Sequence, residues 1–265
     1  MDSITKVFQE IAQKLSEKSK THKESVIDSQ LFQESAKYFS DITFDFINSI
    51  RIISFYSTRA KNIYDDFLVI RASDDLIQSA IGIQVLVLEG VHNMAKRELR
   101  YLIEMSVKYL VVDQELMGKT ITEKTSYLSS NIPNSSIEVI ERAKTYFEPA
   151  TELSLKNEIT DFFYKSCAYV HPSQRQIGEQ LDKYKKGLHI GFESAKELAD
   201  ITKLAFRAYD MILVLILTGF GQSMSGDLFI DNFDHNQKWK FHKGKYVAQF
   251  SKLYDYKQER QSRHD

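Results

Sequence analysis

The stretch MILVLILTGF, from Met211 to Phe220, is the most apolar part of the chain and the strongest indicator of its fold class. Its length of about ten residues falls short of the roughly 20 that a membrane-spanning helix needs. Arg207 and Asp210 stand just before it, and the start of the chain, MDSITK, lacks the cationic start and apolar run of a secretory signal. The stretch predicts a helix in a protein core, and we expect a cytoplasmic protein with no membrane partner.

Turn-forming residues are scarce around this core helix. The 265 residues include only 3 Pro and 10 Gly, or roughly 1% and 4% against averages of about 5% and 7%. An all-β sandwich or barrel needs a turn every 8–12 residues or so, and this chain has too few turn residues to supply them. We therefore predict an all-α protein: a helical bundle with long central helices, a short N-terminal amphipathic arm and an aromatic, basic C-terminal tail.

The hydrophobic periodicity divides the chain into three parts. Residues 1–29 predict an N-terminal amphipathic arm and linker, residues 30–224 a helical bundle domain, and residues 225–265 the C-terminal tail. The arm carries an apolar stripe at helical spacing, formed by Ile4, Val7, Phe8, Ile11 and Leu15. The polar segment from residue 18 to residue 29 indicates a linker or a fraying helix end, so the arm is predicted to be detachable and to pack on a partner.

Within the bundle, the same period predicts six helices. They cover residues 31–57, 74–89, 92–117, 135–147, 155–170 and 193–223. The helix over 74–89 is apolar on nearly all sides, which is typical of a central helix. Pro149 is expected to end the helix before it. The polar, glycine-containing residues 173–191 are predicted to form a mobile loop or lid.

The net charge gives no indication of polyanion binding by the whole protein, but the C-terminal tail is basic. The 35 basic and 36 acidic residues nearly cancel, so bulk charge does not indicate a polyanion-binding protein. From Lys238 to Asp265, however, eight Lys and Arg residues stand against three Asp and Glu residues. The tail is therefore locally basic on a neutral body.

No familiar cofactor or catalytic motif stands in the sequence. The patterns G-x-x-x-x-G-K-[ST], G-x-G-x-x-G, H-E-x-x-H and G-x-S-x-G are all absent. The single cysteine, Cys167, excludes a disulfide within the chain and a zinc site of the CxxC type. Asp231, Asp234 and His235 superficially resemble metal ligands, but we interpret them as a polar turn. We expect no metal and no cofactor.

The first of two candidate segments is AKRELRYLIE, residues 95–104. Arg100 and Glu104 are four residues apart and therefore lie on one helix face. Their apolar neighbours indicate partial burial, where an Arg needs a carboxylate partner. The pair is interpreted either as a structural salt bridge or as an Arg held rigid for an anionic ligand such as phosphate.

The second segment, YKSCAYVHPS, residues 164–173, places His171 at the predicted end of a helix. His171 is interpreted either as a helix C-cap, where its cationic form is favoured, or as a general acid/base near neutral pH. Lys165, six residues earlier, approaches the same groove only if the last turn is irregular. Tyr169 and Ser173 flank His171 and complete the candidate set as supporting residues.

This second segment resembles the HEPN superfamily of helical prokaryotic proteins, many of which are ribonuclease toxins or phage-defence components. Their signature is an Arg, four to six residues, and then a His at a helix end. Here Lys165 is followed by five residues and His171. The resemblance covers roughly residues 75–220. Because Lys does not clamp a phosphate bidentately as Arg does, the change favours weaker activity or simple binding.

The resemblance implies the first functional hypothesis, a dimeric ribonuclease that needs no metal. His171 would act as acid/base, Lys165 would stabilise phosphate charge, and Arg100 and Glu104 would support them across a cleft shared by two copies. The basic tail would suit an RNA backbone, with its aromatic residues stacking on bases; the alternative is an ordinary solvated terminus whose aromatic residues pack on the body. Those aromatic residues are Trp239, Phe241, Tyr246 and Tyr254.

The second hypothesis is a non-catalytic helical interaction or sensor module. In this interpretation the N-terminal arm and the aromatic tail dock a partner protein or a second copy of the chain. Both hypotheses predict a homo-oligomer, and only the first predicts RNA as a ligand.

Overall fold

The computed structural model describes residues 3–60, 64–133, 136–171, 173–185 and 194–262. Every regular element in these ranges is a helix, which confirms the predicted all-α class. The first half forms α1 (Ser3–Ile27), α2 (Gln30–Ser57), α3 (Leu68–Arg71), α4 (Ser73–Leu88), α5 (His92–Glu115) and α6 (Ile121–Ser130). The second half forms α7 (Ser136–Arg142), α8 (Pro149–Val170), α9 (Gln174–Lys185), α10 (Ala195–Phe220), α11 (Gln222–Leu228), α12 (Lys245–Lys252) and α13 (Gln258–Gln261).

Helix α10, which carries the MILVLILTGF stretch, is the centre of the bundle. It packs mainly against α2 and α5, α4 packs against the same two helices, and α8 packs against α5. All residues from Ala208 to Thr218 are buried, so this part of α10 is covered on every side. Among the described helices, none is long and apolar enough to cross a membrane.

Two polar segments are helical. Of the two interpretations of residues 18–29, a linker or a helix end, the structure supports a helix end, because residues 18–27 continue α1. Residues 174–185, predicted as part of a mobile loop, form α9. This second prediction relied on the polar composition and on glycines, of which Gly178 lies inside α9 and costs a helix only about 1 kcal/mol. Residues 186–191 of the predicted loop lie outside the described residues.

Two further expectations about the bundle are wrong. Pro149 begins α8 instead of ending the previous helix, because its fixed φ and missing N–H suit the first helical position. Helix α4 is not central, since it lies outside α2 and α5 and leaves Ile81 and Val85 exposed to solvent. A helix that is apolar on most faces can therefore still lie at the surface of this bundle.

A buried carboxylate on α5 holds the short helix α3. The residue before α3, Phe67, offers no side-chain cap. Asp113 instead accepts hydrogen bonds from the backbone N–H groups of Leu68 and Val69, both over 3.0 Å. The Lys124 ammonium lies 2.9 Å from the same carboxylate and is fully buried. Burial raises the pKa of Asp113, and the two N–H donors and Lys124 oppose that rise.

A second buried carboxylate, Asp210 on α10, holds α12 in the same way. Asp210 accepts from the backbone N–H groups of Tyr246 and Val247 over 2.8 and 2.9 Å. The residue before α12 is Gly244, which has no capping side chain, and a Cβ there would collide with the Asp210 carboxylate. Burial raises the pKa of Asp210 to about 6. This carboxylate therefore replaces the missing N-cap of α12.

The C-terminal segment is part of the core and not a solvated tail. Aromatic side chains from it are buried in the same hydrophobic cluster as α10. They are Trp239, Phe241, Tyr246, Phe250 and Tyr254. The Trp239 indole N–H donates to the Ser49 hydroxyl over 3.0 Å, and its ring stacks on Phe233. The segment is therefore fixed to α2 and α10 by packing and by hydrogen bonds.

We expect Asp210→Ala to lower the free energy of unfolding by about 2–4 kcal/mol, because it leaves two buried N–H groups without an acceptor. Chemical denaturation followed by circular dichroism measures the loss. The matched control is Asp200→Ala on the exposed face of the same helix, for which we expect a change within about 0.5 kcal/mol. Equal losses from the two substitutions would contradict the capping role of Asp210.

Candidate functional site

His171 and Lys165 occupy the end of α8, as predicted. The His171 backbone N–H donates to the Cys167 carbonyl oxygen over 3.3 Å, and its side chain is exposed. Lys165 is also exposed, and its ammonium pairs with Asp161 one turn earlier at 2.7 Å. The two residues thus lie on the protein surface, and their catalytic role stays a prediction.

Arg100 and Glu104 form the predicted contact, with 3.3 Å between the guanidinium and the carboxylate. Both side chains are about 20% exposed. The other carboxylate oxygen of Glu104 lies 2.8 Å from the Lys108 ammonium, and the Arg100 guanidinium lies over the Phe163 ring at 5.0 Å. Glu104 therefore neutralises two cations on α5, an arrangement that stabilises the contact between α5 and α8.

Tyr169 connects α8 to α5 and α9. Its buried hydroxyl donates to the Glu179 carboxylate over 3.0 Å. The Lys96 ammonium lies over its ring at 4.1 Å, and the Arg97 guanidinium donates to its backbone carbonyl oxygen. Ser173 connects α8 to α9 as well: its hydroxyl donates to the Ala168 carbonyl oxygen over 2.7 Å and accepts from the Gln176 backbone N–H over 3.1 Å.

A cleft of about 750 Å³ lies where α5, α8, α9 and α10 meet. Two residues of the candidate set, Lys165 and Tyr169, are in its wall. Its other lysines are Lys96, Lys183 and Lys196, and its acidic residues are Glu179, Asp182, Glu197 and Asp200. In the part of the chain that the structure describes, His171, Ser173, Arg100 and Glu104 lie outside this wall.

The charges of the described residues in the cleft wall balance. Glu197 lies 3.0 Å from the Lys183 ammonium and 4.0 Å from Nδ1 of His92. Burial lowers the pKa of His92 despite the nearby Glu197 carboxylate, so the ring is neutral at pH 7. Among the described residues of the cleft wall, four lysines face four carboxylates, so these residues give no strong preference for an anionic or a cationic ligand.

The sequence interpretation missed several residues of this region. His92 and Lys96 stand at the start of α5, and Glu179 and Lys183 belong to α9, which is predicted as a loop. One signal was present: Ile177, Leu181 and Tyr184 follow a spacing of four and three residues that is typical of a helix. The approach of Arg97 to the end of α8 had no sequence signal, because it depends on how α5 and α8 cross.

The aromatic residues proposed to stack on RNA bases are not available for stacking. Trp239, Phe241, Tyr246 and Tyr254 are each at most 4% exposed. Their ring faces contact other aromatic and aliphatic side chains of the core, such as Phe233 and Phe206. The alternation of aromatic and basic residues in this segment reflects a buried face and a solvated face of the folded chain.

The segment that superficially resembles metal ligands is engaged in other contacts. Asp231 accepts a hydrogen bond from the Tyr56 hydroxyl, and Asp234 pairs with the Arg260 guanidinium at 2.8 Å. Among the residues that the structure describes, no group of three or more His, Cys, Asp or Glu side chains is arranged to hold a metal ion.

The apolar stripe of α1 is the least covered feature of the molecule. Every residue from Ile4 to Lys18 is exposed. Exposure of the large apolar side chains in this range lies between 49% and 69%. The helix joins the body only near its end, where Val26 is buried and Lys23 lies 3.8 Å from Glu89. The first four turns of α1 therefore project from the bundle with their apolar face in solvent.

Comparison with known proteins found no matching family model, no similar curated protein and no similar solved structure.

If Arg100 and Glu104 have a structural role, removing the shared carboxylate lowers the free energy of unfolding more than removing one of the two cations that it contacts. We expect Glu104→Gln to lower the free energy of unfolding by about 2–3 kcal/mol, because Arg100 and Lys108 lose their common partner in a half-buried site. Arg100→Met should lower the free energy of unfolding by less than about 1 kcal/mol, since Glu104 still pairs with Lys108. Urea denaturation of both variants tests the difference, and a larger loss for Arg100→Met would contradict it.

Proposed function

We propose that this protein is a non-catalytic helical interaction module that self-associates, with α1 as the element that each copy presents to the other. The observation that carries the proposal is the solvent-exposed apolar stripe of α1. Surface residues of monomeric proteins include single apolar side chains, but a contiguous apolar face of this kind marks an interaction site.

The exposed part of α1 is unlike a helix that is stable on its own. Against the residues that the structure describes, the projecting segment, residues 4–18, makes no contact that buries its apolar face. Most helical stability in proteins comes from packing of an amphipathic face, and the projecting part of α1 lacks such packing against the described residues. A partner surface that covers this face would therefore stabilise the helix.

The pattern of α1 favours a second helix as that surface. Ile4, Phe8, Ile11 and Leu15 follow a spacing of four, three and four residues, which forms the seam of a coiled coil. At the next two positions of the seam stand Lys18 and His22, so the apolar contact has a definite end.

The flanks of this seam favour a second copy of the chain. In a two-fold assembly identical surfaces come together, so like charges beside the seam would repel one another. The flanking positions are Thr5, Val7, Ala12 and Lys14, of which only one is charged. The other charges of the projecting segment, such as Lys6, Glu10 and Glu17, lie away from the seam.

The seam by itself supports only weak association. Fully burying a large apolar side chain contributes about 1.5–3 kcal/mol, and those of α1 are already about half covered. Four residues on each of two copies therefore contribute roughly 10 kcal/mol. Association costs an estimated 4–15 kcal/mol in lost freedom. A stable dimer of this protein needs further apolar surface outside the four seam residues.

We expect Ile11→Asp to weaken self-association at least tenfold, because it places a charge in the middle of the seam. Sedimentation equilibrium or light scattering over a range of concentrations measures the change. Gln13→Asp, on the polar face of α1, is the matched control and should associate like the wild type. A wild-type protein that stays monomeric at concentrations of hundreds of micromolar would overturn the proposal.

The non-catalytic part of the proposal has its own test. We expect the purified wild type and His171→Ala to leave total RNA uncut in the presence of EDTA, because His171 lies outside the cleft that contains Lys165. Gel analysis of the RNA is the measurement. Cleavage by the wild type that is lost in His171→Ala would contradict the proposal and favour the ribonuclease hypothesis instead.

A further inference from the structure

Helix α9 has its polar side toward the protein and its apolar side toward solvent. Glu179 and Lys183 face the body, where they contact Tyr169 and Glu197. The opposite side carries Ile177, Leu181 and Tyr184, which are 53%, 54% and 83% exposed. Amphipathic helices normally have the reverse orientation. The polar contacts hold α9 in this orientation, and its apolar stripe is left without a partner in the described part of the chain.

This stripe lies at the same end of the bundle as the root of α1. The Lys23 ammonium near the end of α1 lies 3.8 Å from Glu89, which directly follows α4. Three residues later, His92 begins α5 and lies 4.0 Å from Glu197. Glu197 in turn pairs with Lys183 on α9. Three ion contacts and the short turn between α4 and α5 thus connect the root of α1 to α9.

We propose that the seam of α1 in one copy packs on the apolar stripe of α9 in a second copy, and that the second copy does the same in return. This inference rests on the proposed self-association and names the surface that receives α1. Three observations support it. Both stripes are exposed apolar helix faces, and both lie at one end of the molecule. Together they supply the apolar surface that a stable dimer needs beyond the four residues of the α1 seam.

The two stripes match in spacing, and each has few charges beside it. Ile177, Leu181 and Tyr184 follow a spacing of four and three residues, as the seam of α1 does. The positions beside the α9 stripe are Gly178, Gln180 and Lys185, so the flanks of α9, like those of α1, carry a single charge.

The reciprocal arrangement also covers more apolar surface than a pair of α1 helices. Pairing α1 with α1 covers four seam residues on each copy and leaves both α9 stripes in solvent. Exchange of α1 onto α9 covers seven large side chains on each copy. Because the same contact forms twice around one two-fold axis, the assembly closes as a dimer.

Cross-linking between differently labelled copies tests this contact. In a Cys167→Ser background, Ile11→Cys and Leu181→Cys are made as separate variants, mixed, and treated with a short bis-maleimide. We expect a cross-linked dimer in the mixture, and little or none with Leu181→Cys alone. Leu153→Cys, an exposed apolar position at the start of α8, replaces Leu181→Cys in the control mixture and should not cross-link to Ile11→Cys.

The outcomes separate this inference from the proposed function. Cross-linking of Ile11→Cys with itself, but not with Leu181→Cys, would mean that α1 pairs with α1, which keeps self-association and overturns the α9 contact. Leu181→Asp provides a second measurement, for which we expect dimerisation to weaken at least tenfold. If Leu181→Asp associates like the wild type while Ile11→Asp does not, the α9 contact is wrong. If the wild type itself is monomeric, both proposals fail.

Discussion

Two buried carboxylates, one on each of the long central helices, hold the short helices of this fold in place. Asp210 on α10 and Asp113 on α5 each accept two backbone N–H groups from the first turn of another helix. The residues before those helices, Gly244 and Phe67, have no side chain that caps. Desolvation makes a buried carboxylate costly, and the N–H donors offset that cost. The position of the C-terminal segment depends on Asp210.

The core of this protein buries its apolar residues, whereas two of its surface helices expose theirs. Inside, the residues of α10 from Ala208 to Thr218 are buried on every side, and the buried ammonium of Lys124 pairs with the buried carboxylate of Asp113. Outside, two helices leave apolar stripes in solvent. Helix α1 projects beyond the body, and α9 contacts the body through Glu179 and Lys183. A surface of this kind fits a protein that is completed by association better than one with a single enclosed site.

The sequence predicted most elements but few of their environments. The helices over 31–57, 74–89 and 92–117 were within two residues of α2, α4 and α5, because their apolar periodicity is strong. The start of α8 was missed since a proline either ends or begins a helix, and its neighbours decide which. Helix α9 was missed because its segment is polar and contains Gly178, although Ile177, Leu181 and Tyr184 follow a helical spacing. For the candidate site, the contact between Arg100 and Glu104 was predictable from local spacing alone, whereas the contacts of Tyr169 with Lys96, Arg97 and Glu179 were not.

Local information in the sequence therefore determined that the chain is helical, where the long helices α2, α4 and α5 begin and end, and which side chains one helical turn apart would meet. These features depend on dihedral preferences and on neighbours within about four residues. Only the tertiary structure decided that Asp210 caps α12, that the aromatic C-terminal residues are buried, that His171 lies outside the cleft with Lys165, and that α9 turns its apolar side outward. Each of these depends on how distant helices cross, because burial and desolvation arise from contacts that sequence spacing does not specify.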